Sequence, residues 1–418
     1  MKDLHMNLKF FTIASLVFLA TSCDKKSTAP NTLLSEDAIT LDNGMIITAC
    51  LDAEGQGNPW DCKANDGSSH SCIKKVCDDR YCAFEELNLC YKSDKSEASA
   101  SNVSSERSQT LPEKKPDGAF FFLSDIHAGR EQNTQLAVRD AMEKLASQEE
   151  GFSLIINGGD SSDHGLYDNF LQTYITSIYQ DSKQVPAISK LPIHSVLGNH
   201  DYCKAAPSQL LTLDGDADKM WRLDDLVWSY QATIGEKTLG FVHIDTNILA
   251  YYENLPSWIK RDCSPMGGYF NEFEKTYGNL TQYIKDKTTA ALEAFSDKDY
   301  LFVVGHHPAG GGACGGEGNM SWLLSKIKEY KASAYLSGHV HSMDFGADKN
   351  TLYMSIGTSG TTAGTGCLKT KGWKGDKWEY GASGFGAIRI YGDSMYMSYY
   401  DKNGQELLTQ SVASRTNK

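Results

Sequence analysis

The chain has 418 residues, 40% hydrophobic and 22% charged, and 40 Lys and Arg against 53 Asp and Glu give a net charge of −13. These proportions exclude a wholly disordered chain and fit one large globular domain with an accessory segment. The acidic balance speaks against a non-specific binder of duplex nucleic acid, which needs a basic footprint to neutralise phosphates.

The longest apolar run, residues 10–20, has 11 residues and falls well short of the roughly 20 that span a bilayer, so a polytopic membrane protein is excluded too. Lys2 and Lys9 precede it, and Ala20-Thr21-Ser22 follows. This layout predicts a secretory signal peptide over 1–22. Leu19-Ala20-Thr21-Ser22-Cys23 is similar to a bacterial lipoprotein signal, although its leucine lies four residues before the cysteine rather than three. Cys23 is therefore a candidate lipidation site, the alternative being ordinary secretion with Cys23 as a spare thiol. The expected location is periplasmic or on the cell surface as a lipoprotein, otherwise secreted, with membrane contact only through the lipid.

Residues 23–45 are polar and read as a tether. Cys50, Cys62, Cys72, Cys77, Cys82 and Cys90 then crowd into residues 46–92, which predicts a small module held by three disulfides, because so short a segment buries little core. A zinc knuckle is the rival, yet no tight Cys-x-x-Cys pair occurs. The module offers a surface for an unknown partner. Setting Cys23 aside leaves an even number of the 11 cysteines, as an oxidising compartment favours. Residues 93–117 are rich in Ser, Glu and Lys, with little apolar content to offset ordering entropy, and read as a disordered linker.

At Gly118 the texture changes to Ala119-Phe120-Phe121-Phe122-Leu123, an apolar run typical of a buried strand. Further strands are predicted over 152–156, 193–197, 239–245, 300–304 and 334–337, with helices over 132–148, 167–182 and 321–330. Residues 203–230 and 251–278 read as loops. Residues 385–390 and 395–400 alternate as a hairpin about Gly392-Asp393. The βαβ alternation ending in antiparallel strands argues for an α/β sandwich over 118–415.

Each strand runs into polar residues able to ligate metal: Asp125-Ile126-His127, then Gly159-Asp160-Ser161-Ser162-Asp163, Gly198-Asn199-His200-Asp201, Gly305-His306-His307 and Gly338-His339-Val340-His341. Ligands in open α/β sheets gather beyond the carboxyl ends of strands. Any one of these pieces is weak, but five in this order form a specific set. They resemble the calcineurin-like metallophosphoesterase family, whose signature runs Asp-x-His, Gly-Asp-x-x-Asp, Gly-Asn-His-Asp/Glu, a single His, and Gly-His-x-His.

Gly305-His306-His307-Pro308 and the terminal Tyr399-Tyr400-Asp401-Lys402-Asn403-Gly404 are similar to the small, tartrate-resistant type of purple acid phosphatase. Two departures stand out: that group has Gly where this chain has His127, and a metal-binding Tyr where it has Asp163. A colourless or weakly coloured protein is therefore expected.

The resemblance implies an αββα metallophosphoesterase fold and a centre of two transition-metal ions. One ion is implied on Asp125, His127 and His341, the other on Asn199, His306 and His339, with Asp160 bridging. Imidazoles mixed with carboxylate and amide oxygens suit iron, manganese or zinc better than magnesium or calcium. Two such ions activate a hydroxide and clamp the phosphoryl oxygens, with His200 as general acid and Asp163 orienting it. The alternative for Asp163 is a helix N-cap. His307 is either a substrate contact or a packed neighbour of a ligand. Asp201 is expected to support loop backbone, His164 to contact substrate or solvent, and His243 to be structural. Pairing of Cys203 with Cys263 and of Cys314 with Cys367 would stiffen the loops around the site. Hydrolysis of phosphomonoesters is the leading expectation. A phosphodiesterase or nucleotide hydrolase with the same centre, and a non-catalytic surface binding protein, are the alternatives.

Overall fold

A computed structural model describes residues 108–162, 176–203, 220–364, 367, 372–374 and 377–416, together with the backbone of short strands between 33 and 92. The chain divides into two compact units, Met1–Asn102 and Val103–Lys418. In the first, the strands Leu33–Leu34, Ile39–Thr40, Ile46–Leu51, Trp60–Ala64, Ser69–Ile73 and Leu89–Lys92 form one antiparallel sheet. Its register sets Cys50 opposite Cys62 and Cys72 opposite Cys90. Cys23, the signal peptide and the side chains of the Cys-rich module lie outside the described residues, as does the tether apart from the backbone of Leu33–Leu34 and Ile39–Thr40, which pair into this sheet.

The second unit is built on two sheets. In order across the first lie Trp221–Arg222, Ile193–Ser195, Phe152–Asn157, Gly118–Leu123, Gly384–Tyr391, Ser394–Asp401 and Glu406–Ala413. Gly118–Leu123 sits at its centre, parallel to Phe152–Asn157 and antiparallel to Gly384–Tyr391. The second sheet runs Val227–Ile234, Lys237–Ile244, Tyr300–Val304, Ala334–Ser337, Leu352–Ile356, Met343–Ala347, Lys377–Tyr380 and Gly372–Lys374.

Side-chain parity assigns the layers. Phe120 and Phe122 point between the sheets, where they meet Phe241, Phe302, Leu336, Met354 and Ile388. Phe121 and Leu123 point the other way, onto Val138 and Met142 of the helix Gln132–Gln148. That helix buries Gln135, Val138, Arg139 and Met142, one stripe at helical spacing. The outer face of the second sheet, Leu301 and Val303 among others, is covered by Ile284 and Leu292 of Leu280–Ala294 and by Leu323 and Ile327 of Met320–Glu329. Each fully buried Phe or Leu contributes about 1.5–3 kcal/mol, so a strand buried on both faces is a strong organising element. The result is the expected αββα sandwich.

Two expectations change, and a third falls mostly outside the described residues. Residues 108–117, read as linker, belong in part to the sandwich: Gln109 N–H donates to Thr409 O and Asp117 N–H to Ile390 O. The stretch 251–278 is largely helical, as Ser257–Asp262 and Met266–Tyr277, and Val227–Ile234 is a strand. Most of the helix predicted over 167–182 lies outside the described residues, which show only Ser177–Tyr179 as helix.

Candidate metal centre

The seven residues expected to hold metal all lie just beyond the carboxyl ends of strands and converge in space. Four of them, Asp125, His127, Asp160 and His339, have positive φ, and among the described non-glycine residues only Lys331 shares that conformation. Such backbone costs free energy and persists where the surroundings hold it for a purpose. The glycines between them admit the close approach. A Cβ on Gly338 would sit 1.9 Å from Ser124 Oγ and 2.2 Å from Asp125 Oδ2, and one on Gly198 would sit 2.2 Å from Asp160 Oδ1.

Two sets of donor atoms result. Asp125 Oδ2 accepts Ser124 Oγ–H at 2.7 Å and His339 N–H at 2.9 Å. Its Oδ1 is buried, accepts no hydrogen bond, and faces His127 Nε2 at 3.7 Å and His341 Nε2 at 3.6 Å. In the second set Asn199 Oδ1 lies 3.0 Å from His306 Nε2 and 2.9 Å from His339 Nδ1. Asp160 stands between: its Oδ2 is 3.3 Å from His306 Nε2 and 3.9 Å from His127 Nε2, while its Oδ1 accepts His200 N–H at 2.7 Å.

These residues fit metal. Ligand atoms about 2.1 Å from a shared ion stand about 3.0–3.5 Å apart, close to the separations seen here. An orphaned buried carboxylate oxygen is costly without a cation. The ring of His306 donates Nδ1–H to Gly158 O at 2.9 Å, so Nε2 is the atom turned to the centre, where an ion would take the place of a proton. Burial opposes the charge on Asp160, yet His306 and His200 outweigh it and hold its carboxyl well below the ordinary range. Burial likewise opposes a proton on His306, but Asp160 and Asp125 raise it to about 9. The deep side of the site is therefore buried, whereas the His341 side chain is 32% exposed and opens to solvent.

His200 is half-buried, its ring 4.8 Å from that of His127. Asp163 and His164 lie outside the described residues. The expected substrate contact at His307 is corrected to the packed-neighbour alternative: the residue is buried, and its Nδ1 and Nε2 bond Thr246 Oγ1 at 2.9 Å and Tyr251 OH at 3.0 Å, leaving no ring nitrogen for phosphate. Asp201 supports backbone, its carboxylate accepting N–H groups of Ser161, Ser162 and Gly198 at 2.9, 3.2 and 2.8 Å. His243 is buried and stacked on Trp228, with ring centroids 4.1 Å apart.

Sequence reasoning missed Thr246, Tyr251 and Glu317, which surround the second set. They sit in stretches without a motif, and only the fold brings them there. Disulfides join Cys203 to Cys263 and Cys314 to Cys367, as expected. The first ties the turn after His200 to the helix Ser257–Asp262, and the second anchors the glycine-rich loop that follows His307.

Residues 119–343 match the family model of calcineurin-like phosphoesterases. Purple acid phosphatase 7 of Arabidopsis thaliana is 26% identical over 331 residues, covering 74% of this chain and 91% of the relative. Tartrate-resistant acid phosphatase type 5 of Sus scrofa is 22% identical over 310 residues, covering 69% and 83%. Among solved structures, GAP50, the anchor in the inner membrane complex of Plasmodium, superposes with a TM-score of 0.53 at 19% identity, covering 71% of this chain and 89% of that one. That likeness bears on the fold alone.

Proposed function

Because the chain belongs to the calcineurin-like phosphoesterase family and is a metal-dependent phosphoester hydrolase, we propose that it cleaves phosphomonoesters at a centre of two transition-metal ions, iron, manganese or zinc. The observation that carries this reading is the convergence of two donor sets on either side of Asp160. Asp125, His127 and His341 would hold one ion, and Asn199, His306 and His339 the other, with Asp160 shared. When bound, such ions activate a water for attack on phosphorus and neutralise the phosphoryl oxygens.

The chain's own residues then have distinct tasks. Asp160 fixes the backbone of His200 through its N–H, which sets the imidazole beside the centre. His200 gives its proton to the departing ester oxygen. Asp163 would orient that ring, so Asp163→Asn should lower turnover with metal content intact; unchanged turnover would remove it from the mechanism. Replacement of the purple group's Tyr by Asp163 also implies a weakly coloured protein, and an iron-tyrosinate absorption band would contradict that. The protein's acidity is no obstacle, because two divalent ions against Asp125, Asp160 and a hydroxide leave the site positive by about one charge, while distant charges are screened over about 8 Å.

Hydrolysis of p-nitrophenyl phosphate compared with its bis ester tests the substrate class. Faster cleavage of the monoester is expected, and preference for the bis ester would favour the phosphodiesterase alternative. Turnover of neither by fully metallated protein would favour the binding-protein alternative. The reading extends to export with Cys23 lipidated, supported by the two disulfides of the catalytic unit. Cys23→Ser should release the protein from the membrane fraction; unchanged fractionation would overturn the lipid anchor.

A further inference from the structure

The stretch 310–318 after His307 contains six glycines and one acidic residue, Glu317. Three features fix where that residue sits. Cys314 is tied to Cys367, Asn319 N–H donates to Leu249 O at 2.9 Å, and Gly318 has φ +48 with a Cβ position only 2.5 Å from Ala250 O. Glu317 is thus held between two anchors, and its carboxylate lies 3.5 Å from His339 Nε2.

The hydrogen bonds behind it run in one direction. Thr246 Oγ1 accepts the backbone N–H groups of His306 and His307, each at 3.0 Å, so its own hydrogen is free to go to His307 Nδ1 at 2.9 Å. With Nδ1 an acceptor, the neutral His307 ring carries its proton on Nε2 and donates it to Tyr251 OH at 3.0 Å. Burial and then the neighbouring Glu317 charge keep the Tyr251 phenol protonated, with its hydroxyl beside that carboxylate. The buried chain Thr246, His307, Tyr251 therefore ends beside Glu317.

His339 presents Nδ1 to Asn199 Oδ1 and Nε2 to Glu317. A neutral imidazole has one proton, and a carboxylate is a stronger acceptor than an amide oxygen. We propose that Glu317 is the positioning residue for the second ion, accepting the Nε2 proton of His339 so that Nδ1 keeps its lone pair toward Asn199 and His306. The inference rests on the two-ion reading above. Carboxylates behind a ligating histidine fix its tautomer, and their removal typically costs about 10–100-fold in metal affinity.

The test is a zinc titration of the purified full chain, wild type and the variants Glu317→Ala, Glu317→Asp and Tyr251→Phe, in competition with a chromophoric chelator. Thermal midpoints in EDTA are measured alongside. Wild type should bind two ions. Glu317→Ala should hold one at wild-type affinity and the other about 10–100-fold more weakly, Glu317→Asp should recover part of the loss, and Tyr251→Phe should show a smaller loss at the same ion. Midpoints in EDTA should barely move for Glu317→Ala, because the side chain is 46% exposed. Two ions bound by Glu317→Ala at wild-type affinities would overturn the inference and leave the two-ion reading standing, as would a loss matched by an equal fall in midpoint. Fewer than two ions in wild type would overturn both.

Discussion

Asp201 illustrates what single residues reveal and conceal. It stands in the motif Gly198-Asn199-His200-Asp201 beside a ligand and the proposed acid, yet its three backbone hydrogen bonds tie the loop carrying Asp160 to the loop carrying Asn199. Bonds to a buried carboxylate are worth about 1.5–3 kcal/mol each, and their loss leaves the partner N–H groups unsatisfied. Asp201→Ala should therefore destabilise the protein by about 2–4 kcal/mol in denaturant unfolding and loosen both ions together; a change below about 0.5 kcal/mol would refute the bracing role. At this scale the ligand types were legible because metal chemistry needs particular side chains at strand ends. Glu317 and Tyr251 were not, since a carboxylate and a phenol in a motif-free stretch carry no signal until the fold sets them beside His339 and His307.

Among the elements, buried strands were the most legible, because an apolar run ending abruptly in Gly, Asp, Asn or His has few other readings. The helices Ser257–Asp262 and Met266–Tyr277 were missed. Pro256, Pro265, Gly267 and Gly268 break the region into short pieces, and the burial of Met266, Phe270 and Phe273 shows at helical spacing only within one of them. The strand-end turns have their own requirement. A methyl on Gly338 would displace the Asp125 carboxylate, so Gly338→Ala should yield a folded protein with weakened ion binding, checked by circular dichroism and metal analysis. Full metal content in that variant would refute the cradle. The Cys203–Cys263 bridge closes 60 residues and should contribute about 2–4 kcal/mol, measurable as the stability lost in a Cys203→Ser, Cys263→Ser double variant.

The whole molecule carries a pH dependence outside the metal centre. His194 and His243 are buried near Trp228 and Tyr230, with Arg222 over both rings and Asp224 the opposing charge. Burial, helped by Arg222, holds His194 down at about 4, and burial, His194 and Arg222 lower His243 well below its usual range. Both rings are neutral in the fold while an unfolded chain protonates them near 6.5, so stability is full above that pH and falls as pH drops toward 4. His194 alone should cost about 2 kcal/mol at pH 5. His243→Phe should flatten the fall in thermal midpoint between pH 7 and 5, and an unchanged slope would exclude that ring as a contributor.

Two-ion chemistry is most directly tested by following p-nitrophenyl phosphate hydrolysis against the number of ions bound per chain, starting from protein stripped by chelation. Turnover should stay near background through the first ion and rise as the second site fills. Full turnover at one ion per chain, or in stripped protein, would contradict the shared role of Asp160 between two ions.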